Sequence, residues 1–366
     1  PGDGDRVWFD FFDLNWGGLD KIRIDRPAVQ AESLFGMFYE DLAEYLERTQ
    51  LVIRFPYDWR QPIQVLAESL AGVLSDALKT HPDQPVRILA HSMGGLVSRA
   101  MIAQHADLWD DVVARPGGRL VMLGTPNRGS HAMVETLLAK SDSMRKLELI
   151  DMKHDMQEVL DIVAGFYGAV QLLPRPGFDD GGTPWKDYYS TATLDEMRKR
   201  NRDRWVGNSV VGNVSDGTFK RARELWEKVL TDNTISHPER VAYVFGQGKS
   251  TPCGVQIEED GASSRWLKMV GTSEGDGTVS WAAGKLDNLP ADRCWYMPVE
   301  HGALTATDEY FPAIVDLVER GETARLGRLP VSRGEAATWT YDAAPPSLPG
   351  EEELARGLIG SKPRQR

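Results

Sequence analysis

The feature that most constrains the fold is a series of short apolar runs separated by helical patterns. Such runs occupy residues 51–55, 86–90, 119–124, 241–245 and 295–299. An apolar run of this length, bounded by turn residues, is typical of a buried strand. Helical periodicity lies between the first runs, at Leu34, Phe38, Leu42 and Tyr45, and at Ile63, Leu66, Leu70, Val73 and Ala77. Strands that alternate with helices predict a parallel, doubly wound sheet with helices on both faces.

The spacing of these runs predicts an insertion. Strand patterns come at even intervals up to Gly124, and the next begins at Val241. The intervening stretch carries helical patterns, so we expect a helical cap inserted into a mostly parallel α/β domain. The predicted organisation is a core at 1–129, a cap at 130–238, the rest of the core at 239–330, and a linker or disordered tail at 331–366.

Charge and composition exclude several classes of partner. A net charge of −12 argues against nucleic acid, which requires clustered Lys and Arg. No His and Asp cluster has the spacing of metal ligands, and no segment matches a signal peptide or a transmembrane helix. These observations predict a cytoplasmic chain without a metal, with at most transient contact with a membrane surface. Pro1 in place of Met, together with the tail, predicts upstream and downstream segments of a longer chain.

A candidate nucleophile lies in the segment Ala90-His91-Ser92-Met93-Gly94-Gly95. This segment joins a predicted strand to a predicted helix. Small residues on either side of a serine allow strand and helix to approach closely, and the turn then exposes the hydroxyl. Ser92 would also suit the N-cap of a helix, but the strand–turn–helix context favours the nucleophile. The Met93 N–H and the helix dipole would stabilise an oxyanion.

Several motifs together resemble the lecithin:cholesterol acyltransferase and lysosomal phospholipase A family and its bacterial lipase-like relatives. They span most of residues 6–320 and are Phe55-Pro56-Tyr57-Asp58-Trp59-Arg60, His91 to Gly95, Gly124-Thr125-Pro126-Asn127-Arg128-Gly129-Ser130, Gly275-Asp276-Gly277-Thr278-Val279 and Glu300-His301-Gly302. The resemblance implies an α/β-hydrolase fold with a cap. It also implies serine catalysis without a cofactor, and acyl-lipid or related ester substrates.

The predicted base is His301. A serine hydroxyl needs an imidazole to remove its proton, and in the α/β-hydrolase fold the histidine comes last in the chain. His237 and His301 are the histidines that follow the predicted cap. His301 comes directly after a predicted strand and before a helix, whereas His237 precedes Pro238 and a strand. Position and order therefore favour His301.

The predicted acid is Asp276, which orients the imidazole. Its flanking glycines permit a tight turn that aims a carboxylate inward. The residues alone are equally compatible with an ordinary Asp-Gly turn, and Glu274 and Asp287 are alternatives. The family resemblance implies Asp276.

Other residues are assigned supporting roles. Tyr57, Asp58, Trp59 and Arg60 follow a predicted strand and are interpreted as scaffold, with Asp58 and Arg60 as a buried ion pair. Thr125 and Pro126 are expected to line the pocket without reacting. The resemblance also implies a second oxyanion donor, in a loop that follows a Pro-Gly pair. Gly2 or Asp3 is a remnant of that loop, or the donor lies upstream, in which case weak activity is expected.

The sequence therefore predicts a serine hydrolase that cleaves fatty-acyl esters, phospholipids included, through an acyl-enzyme on Ser92. Two alternatives remain. An O-acyltransferase would use the same three residues and differ in what attacks the acyl-enzyme. A catalytically weak hydrolase-fold domain would serve as a binding or scaffold module of a larger protein.

Overall fold

The strands form two sheets in the computed structural model, which describes residues 23–24, 31, 33–34, 36–141, 144, 154–201, 217–260, 264–331 and 336–342. The strands are β1 Arg87–His91, β2 Arg119–Leu123, β3 Val241–Phe245, β4 Thr251–Asp260, β5 Ser264–Thr272, β6 Cys294–Tyr296 and β7 Thr338–Tyr341. The first sheet is parallel throughout, in the order β1-β2-β3-β6. The second is antiparallel, in the order β4-β5-β7.

The described helices connect these strands and cover the parallel sheet. They are α1 Gly36–Leu46, α2 Ile63–Thr80, α3 Met93–Gln104, α4 Ala106–Ala114, α5 His131–Leu137, α6 Met156–Ala164, α7 Tyr167–Val170, α8 Thr191–Arg200, α9 Thr218–Glu224, α10 Trp281–Gly284 and α11 Phe311–Arg320. A π-helical turn, Leu225–Val229, continues α9, and short 3₁₀ turns include His301–Ala303.

The two faces of the parallel sheet carry separate hydrophobic clusters. In β2, Leu120 and Met122 belong to the cluster that α2 and α3 cover, whereas Val121 and Leu123 belong to the cluster that α1 and α11 cover. All four side chains are fully buried. Burial of a side chain of this size contributes about 1.5 to 3 kcal/mol, so both faces must be covered. This arrangement confirms the predicted doubly wound sheet.

The register of the sheet brings three strand ends together. His91 pairs with Leu123, and Leu123 pairs with Val244. Because the strands are parallel, the residues that follow β1, β2 and β3 emerge at the same edge. Ligand sites of open α/β sheets lie at this carboxyl edge.

The described residues between β2 and β3 include the helices α5 to α9, separated by turns and irregular segments. Their apolar side chains join the cluster on the α2 and α3 face, so the insertion shares one core with the sheet. It packs tightly on residues 59–61 through Gly168, whose N–H donates to the Arg60 carbonyl at 3.2 Å. A Cβ on Gly168 would lie 2.6 Å from the Gln61 carbonyl oxygen. Contact this close fixes the insertion directly beside the start of α2.

One strand prediction is wrong and another is only partly correct. Residues 51–55 form no strand, and Leu51 and Ile53 are 73% and 51% exposed. A strand is defined by its pairing with a neighbour. β1 is the edge strand of the described parallel sheet, and residues 51–55 do not pair with it. The predicted strand 295–299 is shorter and shifted, since β6 ends at Tyr296 before Met297-Pro298.

The antiparallel sheet is the element that the sequence did not predict. Buried Val255, Leu267 and Met269 do alternate with polar residues, but no uninterrupted apolar run marks β4 or β5. β7 also lies within the segment predicted as a linker or disordered tail. It pairs with β5 from Met269 to Thr272, so that part of the tail is ordered by its partner strand.

Candidate functional site

Ser92 occupies a strained turn at the carboxyl edge of the sheet. It directly follows β1 and immediately precedes α3, with φ 52° and ψ −126°. A residue with a Cβ rarely adopts positive φ, and such a conformation costs about 1 to 3 kcal/mol. Its backbone N–H donates to the Leu123 carbonyl at 2.9 Å, which anchors the turn to β2. The anchor to β2 helps to hold the serine in this strained conformation at the tip of the turn.

The close approach behind Ser92 depends on Gly95. A Cβ on Gly95 would lie 2.5 Å from Cγ2 and 2.7 Å from Cβ of Thr125, and closer still to its hydroxyl oxygen. A Cβ on Gly94 would make only ordinary contacts, 3.7 Å from the Tyr57 hydroxyl and 3.9 Å from Ala90 Cβ. The sequence predicted small residues around the serine, and in the structure Gly95 is the one of these two glycines that cannot carry a Cβ without a clash.

The structure brings Ser92, His301 and Asp276 into one hydrogen-bonded chain. Ser92 Oγ lies 2.8 Å from His301 Nε2, and His301 Nδ1 lies 2.8 Å from Asp276 Oδ2. A carboxylate accepts hydrogen bonds, so Nδ1 carries the proton and Nε2 is free to accept from the serine hydroxyl. The Asp276 side chain is 2% exposed and that of His301 is 14% exposed. The arrangement suits removal of a proton from Ser92.

The turn around Asp276 fixes the orientation of its carboxylate. Oδ1 accepts from the backbone N–H groups of Thr278 at 2.9 Å and Val279 at 2.7 Å, which leaves Oδ2 for His301. The Asp276 carbonyl also accepts from the His301 N–H at 2.8 Å. The acid and the base are thus joined through both backbone and side chain.

Two glycines at the strand ends make room for this pair, and the sequence analysis did not identify them. Gly124, which follows β2, has φ 58°, and a Cβ there would lie 3.0 Å from Asp276 Oδ2 and 3.1 Å from His301 Nδ1. Gly246, which follows β3, would place a Cβ 2.7 Å from Asp276 Cβ. The available signal was a glycine directly after each of two neighbouring strands, at the edge where sites form.

The residues predicted as scaffold, 57–60, contact one another and the helical insertion. Arg60 is 2% exposed and binds Asp58 with both ends of its guanidinium, at 2.8 and 2.7 Å. Burial acts to raise the pKa of Asp58, but the hydrogen bonds and charge of Arg60 outweigh it and hold that pKa below its ordinary value. Trp59 packs edge-on against Phe166 of the insertion, with ring centroids 5.3 Å apart. Burial raises the pKa of Tyr57.

The remaining predicted residues are placed as follows. Thr125 and Pro126 are buried, and the Thr125 carbonyl accepts from the Tyr243 hydroxyl at 2.6 Å. Met93 begins α3, with its side chain buried. Gly2 and Asp3 lie outside the described residues.

The alternative acid and base residues have other partners. Asp287 forms an ion pair with Arg128, and His237 forms one with Asp110 at 2.9 Å on the surface. The Glu274 N–H donates to the Thr272 hydroxyl at 3.1 Å, and the Glu274 carbonyl accepts from the Trp281 N–H at 3.0 Å. Within the described parts of the chain, no group of three or more His, Cys, Asp or Glu residues is arranged to hold a metal ion. No helix in those same parts is long and apolar enough to cross a membrane.

The parallel sheet with helices on both faces, its helical insertion and the serine at the strand–helix turn define the α/β-hydrolase fold. The family profile described as Lecithin:cholesterol acyltransferase matches residues 19–220, more than half of the chain. The chain belongs to this family. It is accordingly a lipid-acting enzyme of the esterase or acyltransferase type.

Solved structures give weaker comparisons than the family profile. A chain in the crystal structure of the Tle4–Tli4 complex is 14% identical, with a TM-score of 0.39, over 73% of this chain and 68% of that one. Bacillus licheniformis lipase BlEst2 in its mature form is 15% identical, with a TM-score of 0.31, over 71% of this chain and 75% of that one. No curated protein matches.

Proposed function

We propose that the chain is a serine hydrolase that cleaves fatty-acyl esters, with Ser92 as nucleophile, His301 as general base and Asp276 orienting the imidazole. The observation that carries this proposal is the continuous chain of two 2.8 Å hydrogen bonds that ends on a serine at positive φ. An N-cap serine needs neither the strained backbone nor an imidazole partner. Family membership supports a lipid ester as the substrate.

The geometry supports a two-step reaction. His301 Nε2 removes the proton of Ser92 Oγ as the oxygen attacks the ester carbonyl. The resulting oxyanion would be stabilised by the Met93 N–H at the start of α3, and Gly2 or Asp3 is the proposed second donor. The proton then passes from His301 to the leaving alcohol, and an acyl group remains on Ser92. A water molecule, deprotonated by His301, releases the fatty acid.

The helical insertion at 130–238 is proposed as a cap that shapes the acyl-binding side of the site. Its Gly168 backbone packs on the loop that carries Arg60, and a Cβ there would also meet the side chain of Met93 at 2.8 Å. The insertion therefore lies next to the residue that follows the nucleophile. Its large side chains Phe166, Leu173, Trp185, Tyr188 and Tyr189 are buried in the core, which favours a structural role over an exposed acyl-binding surface for them.

The test is hydrolysis of short- and long-chain p-nitrophenyl esters by the wild type and by Ser92→Ala. We expect loss of activity in Ser92→Ala and retention in Ser69→Ala, a matched control on the exposed face of α2. For the base, we expect loss of activity in His301→Asn and retention in the control His237→Asn. Full activity in Ser92→Ala would overturn the proposal.

Two further measurements separate the alternatives. Covalent labelling by a fluorophosphonate requires an activated serine, so a scaffold domain would remain unlabelled. Adding an alcohol acceptor to the ester assay would divert the acyl group to a new ester if the chain acts as an O-acyltransferase. Both readouts use the same Ser92→Ala control.

A further inference from the structure

His91, the last residue of β1, contacts the proposed base His301. The centroids of the His91 and His301 rings are 4.8 Å apart, and the two ring planes are tilted by 38°. The Nε2 of His91 lies 3.0 Å from the backbone carbonyl oxygen of His301, and its Nδ1 lies 2.9 Å from the Tyr39 hydroxyl on α1. One side chain therefore links α1, the nucleophile strand and the segment that carries the base.

The direction of both hydrogen bonds follows from their partners. A carbonyl oxygen only accepts, so His91 Nε2 carries a proton. Burial, and then the nearby His301, lower the pKa of His91 to about 3, so the ring is neutral and Nδ1 has no proton. Nδ1 therefore accepts from Tyr39, whose pKa is raised by burial so that its hydroxyl stays protonated. Tyr39 donates to His91, and His91 donates to His301.

This relay completes the attachment of the His301 backbone. The His301 N–H donates to the Asp276 carbonyl at 2.8 Å, and the His301 carbonyl accepts from His91. Both backbone polar groups of His301 are thereby held, the N–H by the acid turn and the carbonyl by His91 at 3.0 Å together with the more distant Leu304 N–H at 3.3 Å. A Cβ on Gly302 would lie 3.3 Å from the Phe38 ring, so α1 also packs directly on this segment.

We propose that His91 is a positioning residue for the reaction, which together with Tyr39 fixes the backbone of His301 and so aims its imidazole at Ser92. This inference rests on the proposed function, in which His301 is the base. A neutral ring suits the position, because a positive charge forms on His301 as it takes the serine proton. A second cation at this distance would oppose that charge.

The test uses amides that mimic one ring nitrogen each. The side-chain N–H of Gln reaches the position of Nε2 and keeps the bond to His301, whereas Asn reaches only the position of Nδ1 and keeps the bond to Tyr39. We expect His91→Gln to retain kcat within about threefold, and His91→Asn and His91→Leu to lose about 10- to 100-fold, because a small displacement of a catalytic group carries a cost of that order. KM should stay unchanged, since the relay does not touch the substrate.

Comparison of the Gln and Asn variants, with thermal unfolding to measure the loss of stability in each, distinguishes positioning from a purely structural role. His91→Gln and His91→Asn each lose one hydrogen bond, so a structural role predicts similar losses of activity in the two variants. Positioning predicts rescue by Gln alone. The rate of labelling by a fluorophosphonate should follow kcat across the series, because it reports Ser92 reactivity without an acyl substrate. Equal kcat in the Gln and Asn variants would overturn the proposal.

Tyr39→Phe provides an independent variant that removes a single hydroxyl. We expect it to lower kcat by a few-fold in the wild type and to have no further effect in His91→Leu, because the relay is already broken there. Additive losses would count against the relay. If Ser92→Ala retains activity, both proposals fail. If Ser92→Ala is inactive while the His91 series is unchanged, the relay alone fails.

Discussion

Gly95 and Gly94 provide a sharp test of the nucleophile turn, because neighbouring glycines have opposite surroundings. Gly95→Ala places a Cβ 2.5 Å from Thr125 Cγ2, whereas carbon atoms pack at about 3.5 to 4.0 Å. The start of α3 and the residue after β2 must then separate by about 1 Å. Thr125 is fully buried and its carbonyl is held by Tyr243, so the helix and Ser92 are expected to move.

The magnitudes follow from this displacement. Overpacking costs about 1 to 3 kcal/mol, of which the better helix propensity of Ala recovers about 1 kcal/mol. Displacing Ser92 from its 2.8 Å bond to His301 should lower kcat about 100-fold. Gly94→Ala meets nothing closer than 3.7 Å, so it should keep activity within about a factor of three and stability at least equal to wild type.

The assay is p-nitrophenyl ester hydrolysis combined with thermal unfolding of both variants. Thr125→Ala removes Cγ2 and the hydroxyl, so it should partly restore the activity of Gly95→Ala. Gly72→Ala, in the exposed middle of α2 with no atom within 4 Å of the new Cβ, controls for helix propensity alone. The steric argument is refuted if Gly94→Ala is the more damaging change, or if Thr125→Ala gives no recovery.

Three further predictions concern the same site and its surroundings. Asp276→Asn should lower kcat by about 10⁴-fold with little change in KM, because an amide no longer selects the Nδ1–H tautomer of His301. Steady-state kinetics test this, and an effect on KM alone would contradict it. Ser92→Gly should unfold at a higher temperature than Ser92→Ala, with a free energy of unfolding about 1 kcal/mol larger. The reason is that φ is positive at this position, which is costly for a residue with a Cβ. Equal melting temperatures would show that the turn is unstrained. Burial raises the pKa of Asp180, which accepts from Ser280, to about 6. The folded protein therefore binds that proton more tightly, and the contribution of Asp180 to stability is lost as the pH rises from about 4 through 6. Asp180→Asn should gain in melting temperature relative to wild type over that range, and a difference independent of pH would disprove the assignment.

The two central strands of the parallel sheet, β2 and β3, could be predicted because they are buried on both faces. Such strands appear in the sequence as uninterrupted apolar runs, as at 120–123 and 241–245. The described side chains of β4 and β5 are mostly buried, but small or polar residues such as Thr251, Gly254 and Lys268 interrupt the apolar ones, so neither strand appears as a run. The segment 51–55 shows the converse error, since apolar composition does not supply a pairing partner.

The candidate site could be predicted in its main members and not in its surroundings. Position and order along the chain predict Ser92 and His301, the family resemblance implies Asp276, and the structure puts the three in hydrogen-bond contact. The requirement for Gly124 depends on Asp276, far along the chain, and local sequence does not reveal such a contact. The bond between Tyr39 and His91 joins residues 52 positions apart and was missed for the same reason.

The bond between Ser92 and His301 also has a consequence for the folding of this chain. The two residues are 209 positions apart, and they meet only when β1, β2, β3 and β6 have all paired. Contacts of such long sequence separation form late and slowly, because loop closure must precede them. Recovery of fluorophosphonate labelling during refolding should therefore lag behind the return of helical circular dichroism. Reactivity of one hydroxyl would then report when the topology of the whole sheet is complete.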